Sequence, residues 1–128
     1  MKARVLLVED ESLVAMMVED SLIELGYEVA AVVASVDAAL AALQRGGIDC
    51  AMLDVNLGGT PSFPIAEALE ARGIPYMFVT GYDGTAIPPN LRARHGLQKP
   101  FRMRELQQAL AGLQDAPAAP AAPGGLIA

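Results

Sequence analysis

The sequence is short of the residues that several classes of protein need. One cysteine, Cys50, among 128 residues excludes an internal disulfide and a metal site built on cysteines. The chain has nine Lys and Arg residues and fifteen Asp and Glu residues, which gives a net charge of −6, and the basic residues form no run. Because a nucleic-acid surface needs clustered basic side chains against the phosphates, we expect no nucleic-acid partner.

Long hydrophobic runs are also missing. No stretch reaches the roughly 20 apolar residues of a membrane span. The apolar run near the N-terminus is too short for a signal peptide, because Glu9 and Asp10 end it. We therefore expect a cytoplasmic protein with no membrane partner. The hydrophobic share of 53% is nevertheless enough for the core of one domain.

Short apolar runs alternate along the chain with patterns typical of helices. Runs that are apolar at nearly every position predict strands buried on both faces, here at residues 4–8, 27–33, 49–53, 75–79 and 97–98. Capping residues and glycines mark the helices between them. We predict one helix from Ser12, as its cap, to Gly26 and another over 38–45 with Asp37 as the cap. After a loop that contains Gly58, Gly59 and Pro61, a third helix runs to about Ala71 before Gly73. A short helix over 89–94 and a last helix over 102–113 follow.

Two of these helices have an apolar stripe that predicts which face turns to the core. In the first helix the stripe is Leu13, Met16, Met17, Ile23 and Leu25. In the last helix it is Met103, Leu106, Leu110 and Leu113.

Five strands that alternate with helices predict the α/β class, as a doubly wound parallel sheet with helices on both faces. The adjacent Pro88 and Pro89 forbid a regular helix at that point, so the fourth helix is expected to be short or irregular. Residues 115–128 are rich in Ala, Pro and Gly, a composition that cannot bury a core. We expect one domain over residues 1–114 and a disordered tail over 115–128.

Polar side chains stand where the predicted strands end. Because all parallel strands end at one edge of such a sheet, these side chains are expected to converge there. Three carboxylates repel each other unless a cation joins them, and oxygen ligands without His or Cys suit Mg²⁺. A carboxylate can also form an aspartyl-phosphate, with a metal, an ammonium and a hydroxyl stabilising the phosphoryl oxygens. The converging residues are Glu9, Asp10, Asp54, Thr80 and Lys99.

Four segments of this pattern resemble the receiver domain of two-component response regulators. They are VLLVEDE (5–11), MLDVNLGG (52–59), FVTGYD (78–83) and QKPF (98–101), and the resemblance covers about residues 3–114. It implies a five-stranded sheet of flavodoxin-like order 2-1-3-4-5. It also implies the site roles: Asp54 as the phosphoacceptor, Asp10 as a direct Mg²⁺ ligand beside Asp54, the backbone carbonyl of Asn56 as another ligand, Glu9 acting through water, and Thr80 and Lys99 contacting the phosphoryl group.

The segment FVTGY, with IPY before it, resembles a narrower group known as the FAT GUY receivers, which are often single-domain. That likeness implies a sensor histidine kinase as the donor, of the HWE/HisKA2 type, and a downstream protein or a histidine phosphotransfer protein as a further partner. Val79 replaces the Ala of that group. Gly96 stands where most receivers have an aromatic residue, so we expect the switch at Thr80, Gly81 and Tyr82.

Other functions remain open at this point. If the chain is a receiver domain, we expect a phosphoacceptor that assists its own phosphorylation and dephosphorylation, and not an enzyme. Its role can then be that of an adaptor, a member of a phosphorelay or a phosphate sink. A phosphatase of the haloacid-dehalogenase type would need a second Asp where this chain has Asn56. A flavodoxin-like FMN module would need a phosphate loop where Glu9, Asp10 and Glu11 repel phosphate.

Overall fold

The strands predicted as buried runs form one parallel sheet. The structure, a computed structural model, describes residues 2–81, 87–91 and 95–115. The sheet has the order β2-β1-β3-β6-β7, which is the predicted order 2-1-3-4-5 once a separate small hairpin, β4-β5, is set aside. The strands are β1 (Arg4–Val8), β2 (Glu28–Val33), β3 (Cys50–Asp54), β4 (Asn56–Leu57), β5 (Thr60–Pro61), β6 (Tyr76–Thr80) and β7 (His95–Gln98).

Helices cover both faces of this sheet. They are α1 (Ser12–Glu24), α2 (Val36–Arg45), α3 (Phe63–Arg72) and α4 (Met103–Asp115). Successive residues of a strand point to opposite faces, so Leu6 and Val8 of β1 pack with α2 and α3, whereas Val5 and Leu7 pack with α1 and α4. Among the described residues, no helix is both long and apolar enough to cross a membrane.

The helix predicted between the last two strands, β6 and β7, is reduced to a single turn in the described residues. A 3-10 helix spans Pro89–Leu91 inside the range 89–94 that was predicted as a short helix. The side chain of Leu91 is buried, and its carbonyl accepts a hydrogen bond from Tyr76 Oη at 3.1 Å. Tyr82 lies outside the described residues, and so does the tail from residue 116 onward. Helix α4 itself extends to Asp115.

The predicted apolar stripe of α1 is wrong. Leu13, Met16, Met17 and Ile23 are 69%, 57%, 64% and 55% exposed, whereas Ala15, Val18 and Leu22 are buried. Apolar residues surround the first two turns of this helix, so helical spacing alone does not select a face. The row at i, i+3 and i+7 faces the sheet, and it begins with a small Ala that allows close approach.

Smaller corrections concern where elements begin. Ser35, not Asp37, caps α2: its Oγ accepts a hydrogen bond from the backbone N–H of Ala38 at 3.1 Å. Asp37 lies inside the first turn, where its charge meets the positive end of the helix dipole. Ser12 is the first residue of α1 and not its cap. Strand β7 begins at His95, two residues before the predicted start, because its pairing with β6 extends to Met77.

Candidate functional site

The three predicted carboxylates come together at the edge of the sheet. Glu9 and Asp10 follow β1, and Asp54 ends the neighbouring strand β3, which pairs with β1 up to Val8 and Leu53. One carboxylate oxygen from each of the three residues lies within 4.8 Å of the others. The convergence predicted from the strand ends is confirmed for these residues.

Lys99 joins the carboxylates from the far side of the site. Its backbone N–H donates to the carbonyl of Thr80 at 2.8 Å, which fixes the end of β7 against the end of β6. Its ammonium then reaches across β6, and Nζ lies 2.8 Å from Oε1 of Glu9 and 3.2 Å from Oδ2 of Asp54. One cation therefore bridges two carboxylates from different strands.

The members of the acidic pair have different environments. Glu9 is buried; one of its oxygens contacts Lys99, and the other accepts the backbone N–H of Glu11 at 3.1 Å. Asp10 is exposed to solvent. Of the pair, Asp10 is therefore the residue that solvent reaches, whereas Glu9 already has a partner on each carboxylate oxygen.

Burial and charge shift the ionisation of the site. Burial, together with the nearby charge of Glu9, raises the pKa of Asp54 to about 6, although Lys99 acts in the opposite direction. Burial alone would lower the pKa of Lys99, but the hydrogen bond to Glu9 and the charges of Asp54 and Glu9 outweigh it and raise that pKa. The site brings three carboxyl groups together around one ammonium, so acidic groups outnumber the cation and favour a further one.

Sequence reasoning missed a hairpin in the loop after Asp54. Strands β4 and β5 pair antiparallel, with Asn56 opposite Pro61 and Leu57 opposite Thr60. Their turn is Gly58-Gly59, with φ of +62° and +97°. Two consecutive residues with positive φ are what a two-residue hairpin turn of type I′ requires, so the Gly-Gly pair was the signal for this element.

The predicted switch residues are only partly described. Thr80 ends β6, one residue past Val79, which pairs with Asp54, and both Thr80 and Gly81 are half-buried. Gly96 is exposed in β7, and a Cβ placed on it would meet nothing within 4 Å. A side chain at that position would therefore be accommodated, so steric crowding does not explain the glycine.

The donor set is suited to a hard divalent cation. All the clustered groups are carboxylates, and neither His nor Cys belongs to the cluster found among the described residues. Oxygen ligands of this kind suit Mg²⁺, which keeps several waters and leaves part of its shell open. The residues present therefore fit a divalent cation held next to the Asp54 carboxylate.

Comparisons with known proteins identify the family. The family model described as the response regulator receiver domain matches residues 5–111. The sensory transduction protein RegX3 of Mycobacterium tuberculosis is 36% identical over 106 residues, which is 80% of this chain. The chain spans only 46% of the length of that relative.

Two solved structures are also similar. The solution structure of SdrG from Sphingomonas melonis Fr1 is 48% identical, with a TM-score of 0.79 over 88% of this chain and 97% of that one. The BeF3-activated conformation of SdrG from Pseudomonas melonis Fr1 is 47% identical, with a TM-score of 0.74 over 88% and 98% of the two chains.

Proposed function

Since the chain belongs to the response regulator receiver domain family, we propose that it signals by accepting a phosphoryl group on Asp54 from a histidine kinase. One observation carries the proposal. The carboxylate of Asp54 lies at the end of β3, within 3.2 Å of the Lys99 ammonium and next to Asp10. A nucleophile, a cation for the phosphoryl oxygens and a metal-binding carboxylate are thus within reach of one incoming group.

The reaction is a phosphoryl transfer between two side chains. A carboxylate oxygen of Asp54 attacks the phosphorus of a phosphohistidine, a new O–P bond forms, and the P–N bond to the histidine breaks. The histidine nitrogen leaves with the electron pair of that bond. Lys99 moves its ammonium from Glu9 and Asp54 toward the new phosphoryl oxygens, and the Thr80 hydroxyl donates to another of them.

We further propose Mg²⁺ as the cation of this site. Asp10, Asp54 and the backbone carbonyl of Asn56 would hold it directly, and Glu9 would act through water. When bound, the cation neutralises charge that develops on the phosphoryl oxygens. The contacts of Glu9 with Lys99 and with the backbone of Glu11 support its indirect role, because both of its oxygens already have partners.

The signal would leave the site through Thr80, Gly81 and Tyr82. Thr80 follows Val79, the partner of Asp54 in the sheet, and the segment after it contains Pro88 and Pro89. Such a segment can respond to a phosphoryl group by ordering, as other phosphate-sensing segments do. Partner binding would then depend on phosphorylation.

The exposed face of α1 supports a docking surface for the phosphodonor protein. Leu13, Met16 and Met17, which we call the α1 patch, are all more than half exposed and lie a few residues after the acidic pair. The helix carries three acidic residues and no basic one. A cleft of about 280 Å³ adjoins the patch, between α1 and the end of β2. A donor with apolar and basic side chains fits this surface.

Several roles are compatible with phosphoryl acceptance: an adaptor, a member of a phosphorelay, and a phosphate sink. The donor would be a sensor histidine kinase, with the HWE/HisKA2 type suggested by the FVTGY segment. SdrG is matched over 97% of its chain and RegX3 over only part of its length, so SdrG is the better guide to the role of this chain.

A phosphatase of the haloacid-dehalogenase type is disfavoured. Such an enzyme needs a second Asp as its general acid, but this chain has Asn56 there, and the side-chain oxygen of Asn56 accepts a hydrogen bond from the N–H of Gly59.

The test uses a small phosphodonor so that no partner is needed. The purified chain is incubated with acetyl phosphate and Mg²⁺, and its intact mass is recorded. We expect the mass of one added phosphoryl group in the wild type and in Asp37→Asn, a control at an exposed carboxylate of α2. Asp54→Asn should gain none. Addition to Asp54→Asn at the wild-type rate would refute the assignment.

A further inference from the structure

The tip of the β4-β5 hairpin lies against the acidic pair. Leu57 and Thr60 pair on either side of a two-residue turn, and the first residue of that turn is Gly58. A Cβ built on Gly58 would lie 3.3 Å from Oδ2 of Asp10. This is closer than ordinary van der Waals contact, so a side chain at this position requires the Asp10 carboxylate to shift by a few tenths of an ångström.

The hairpin is anchored to the domain and within itself at three points. Its neck is closed by the N–H of Ser62, which donates to the carbonyl of Val55 at 2.9 Å. Its body is anchored by Leu57, which is buried in the core beside α3. Its turn is tied by Oδ1 of Asn56, which accepts the N–H of Gly59 at 2.6 Å. A conflict at the tip would therefore be relieved by the exposed carboxylate and not by the hairpin.

The same hairpin also bears on the carbonyl of Asn56. Pro61, the residue opposite Asn56, has no N–H and so cannot donate a hydrogen bond to that carbonyl. The proposed backbone ligand and the contact with Asp10 therefore belong to one small element.

We propose that Gly58 is a positioning residue of the cation site: the absence of a side chain at the hairpin tip sets the place of the Asp10 carboxylate and so the affinity for the cation. The inference rests on the proposed function, since it takes Asp10 as a ligand. Gly58 acts only through Asp10. It makes no contact with the cation and takes no part in phosphoryl transfer.

The test separates contact with Asp10 from backbone strain. Gly58→Ala and Gly59→Ala both place an Ala at positive φ in the same turn, but a Cβ on Gly59 meets nothing within 4 Å. Mg²⁺ alone is titrated into each variant, followed by the NMR shifts of the site. Gly58→Ala should bind Mg²⁺ about tenfold more weakly than the wild type, because changes to residues that hold a metal ligand in place weaken metal binding by this order. Gly59→Ala should bind Mg²⁺ with an affinity close to that of the wild type. If Gly58→Ala does not fold, Gly58→Asn is used, since Asn tolerates positive φ.

A second readout needs no cation. Thermal unfolding is measured in EDTA for Gly58→Ala and Gly59→Ala, each with Asp10 present and in an Asp10→Ala background. The loss of Tm caused by Gly58→Ala should shrink when Asp10 is removed, whereas the loss caused by Gly59→Ala should stay the same. Two results would overturn the role of Gly58 even if wild-type Asp54 accepts phosphate. One is an equal Mg²⁺ affinity in the two variants, and the other is a loss of Tm from Gly58→Ala that is the same with and without Asp10. A wild type that takes no phosphoryl group but shows both differences would instead refute the proposed function alone.

Discussion

Nζ of Lys99 lies 2.8 Å from Oε1 of Glu9, a side chain that is only 4% exposed. A buried carboxylate of this kind needs a partner, because an unpaired charge is costly away from water. The same ammonium also contacts Asp54. Before phosphorylation, Lys99 therefore neutralises the carboxylates that it would later leave for the phosphoryl group.

Removal of this ammonium should destabilise the protein and impair phosphorylation at the same time. Lys99→Met keeps the length of the side chain but leaves Glu9 and Asp54 without their cation. We expect a loss of about 2 kcal/mol in the free energy of unfolding, less than for a fully buried pair because Lys99 is partly exposed. Urea unfolding in EDTA measures the loss. A matched change at an exposed cation, Arg45→Met at the end of α2, should cost little. Equal losses in the two variants would contradict the account.

Replacement of the phosphoacceptor should make the fold more stable at neutral pH. The pKa of Asp54 is raised from 3.8 to about 6, mainly by burial and then by Glu9, so the folded state holds its proton more tightly than the unfolded state. The protonated carboxyl group of Asp54 therefore stabilises the fold, and this stabilisation is complete below pH 4 and is lost as pH rises through about 6. Asp54→Asn should therefore gain about 1 kcal/mol at pH 7, after allowance for solvent screening. The gain should fall away toward pH 4, as measured by unfolding at several pH values. A variant that is less stable at pH 7 would count against the shift.

The α1 patch should matter for a protein donor and not for a small one. Met17→Glu places a charge in the centre of this exposed face. We expect slower phosphotransfer from a phosphorylated histidine kinase, an unchanged rate with acetyl phosphate, and a change in unfolding free energy within about 0.5 kcal/mol. Ala41→Glu is the control, since it makes the same change of charge at an exposed position on α2, across the sheet. An equal slowing in both variants, or slowing with acetyl phosphate, would remove the patch from donor recognition.

The tail should be dispensable for phosphoryl acceptance. Residues 116–128 contain mainly Ala, Pro and Gly, which offer little surface for packing. A chain that ends after Asp115, the last residue of α4, should keep the wild-type Tm and the wild-type rate with acetyl phosphate. A clear drop in Tm on truncation would show that the tail packs on the domain.

The sequence predicted the sheet and the convergence at its edge for a definite physical reason. Strands of a parallel sheet are buried on both faces, so a run such as residues 4–8 is apolar throughout and the next polar residues mark its end. The position of Asp54 beside Asp10 follows from strand order alone. The burial of Glu9 and its contact with Lys99 could not be predicted, because they depend on side-chain directions at the end of the sheet.

The errors also have specific causes. In α1, apolar residues lie on several sides, and the choice of Ala15 over Met16 for the buried face depends on the space above β1 and β2. The hairpin tip at Gly58 was predicted as loop, although a Gly-Gly pair is a signal for a type I′ turn. That signal was missed because strands β4 and β5 have two residues each, too few to show a period.

The most direct test of the account is to identify the phosphorylated residue. The chain is phosphorylated with acetyl phosphate and Mg²⁺ and then treated with borohydride, which reduces an acyl phosphate to an alcohol. The account predicts that fragment masses place the reduced residue at Asp54 alone, with no signal in the absence of Mg²⁺. Reduction at Asp10, or at any other carboxylate with Asp54 intact, would contradict it.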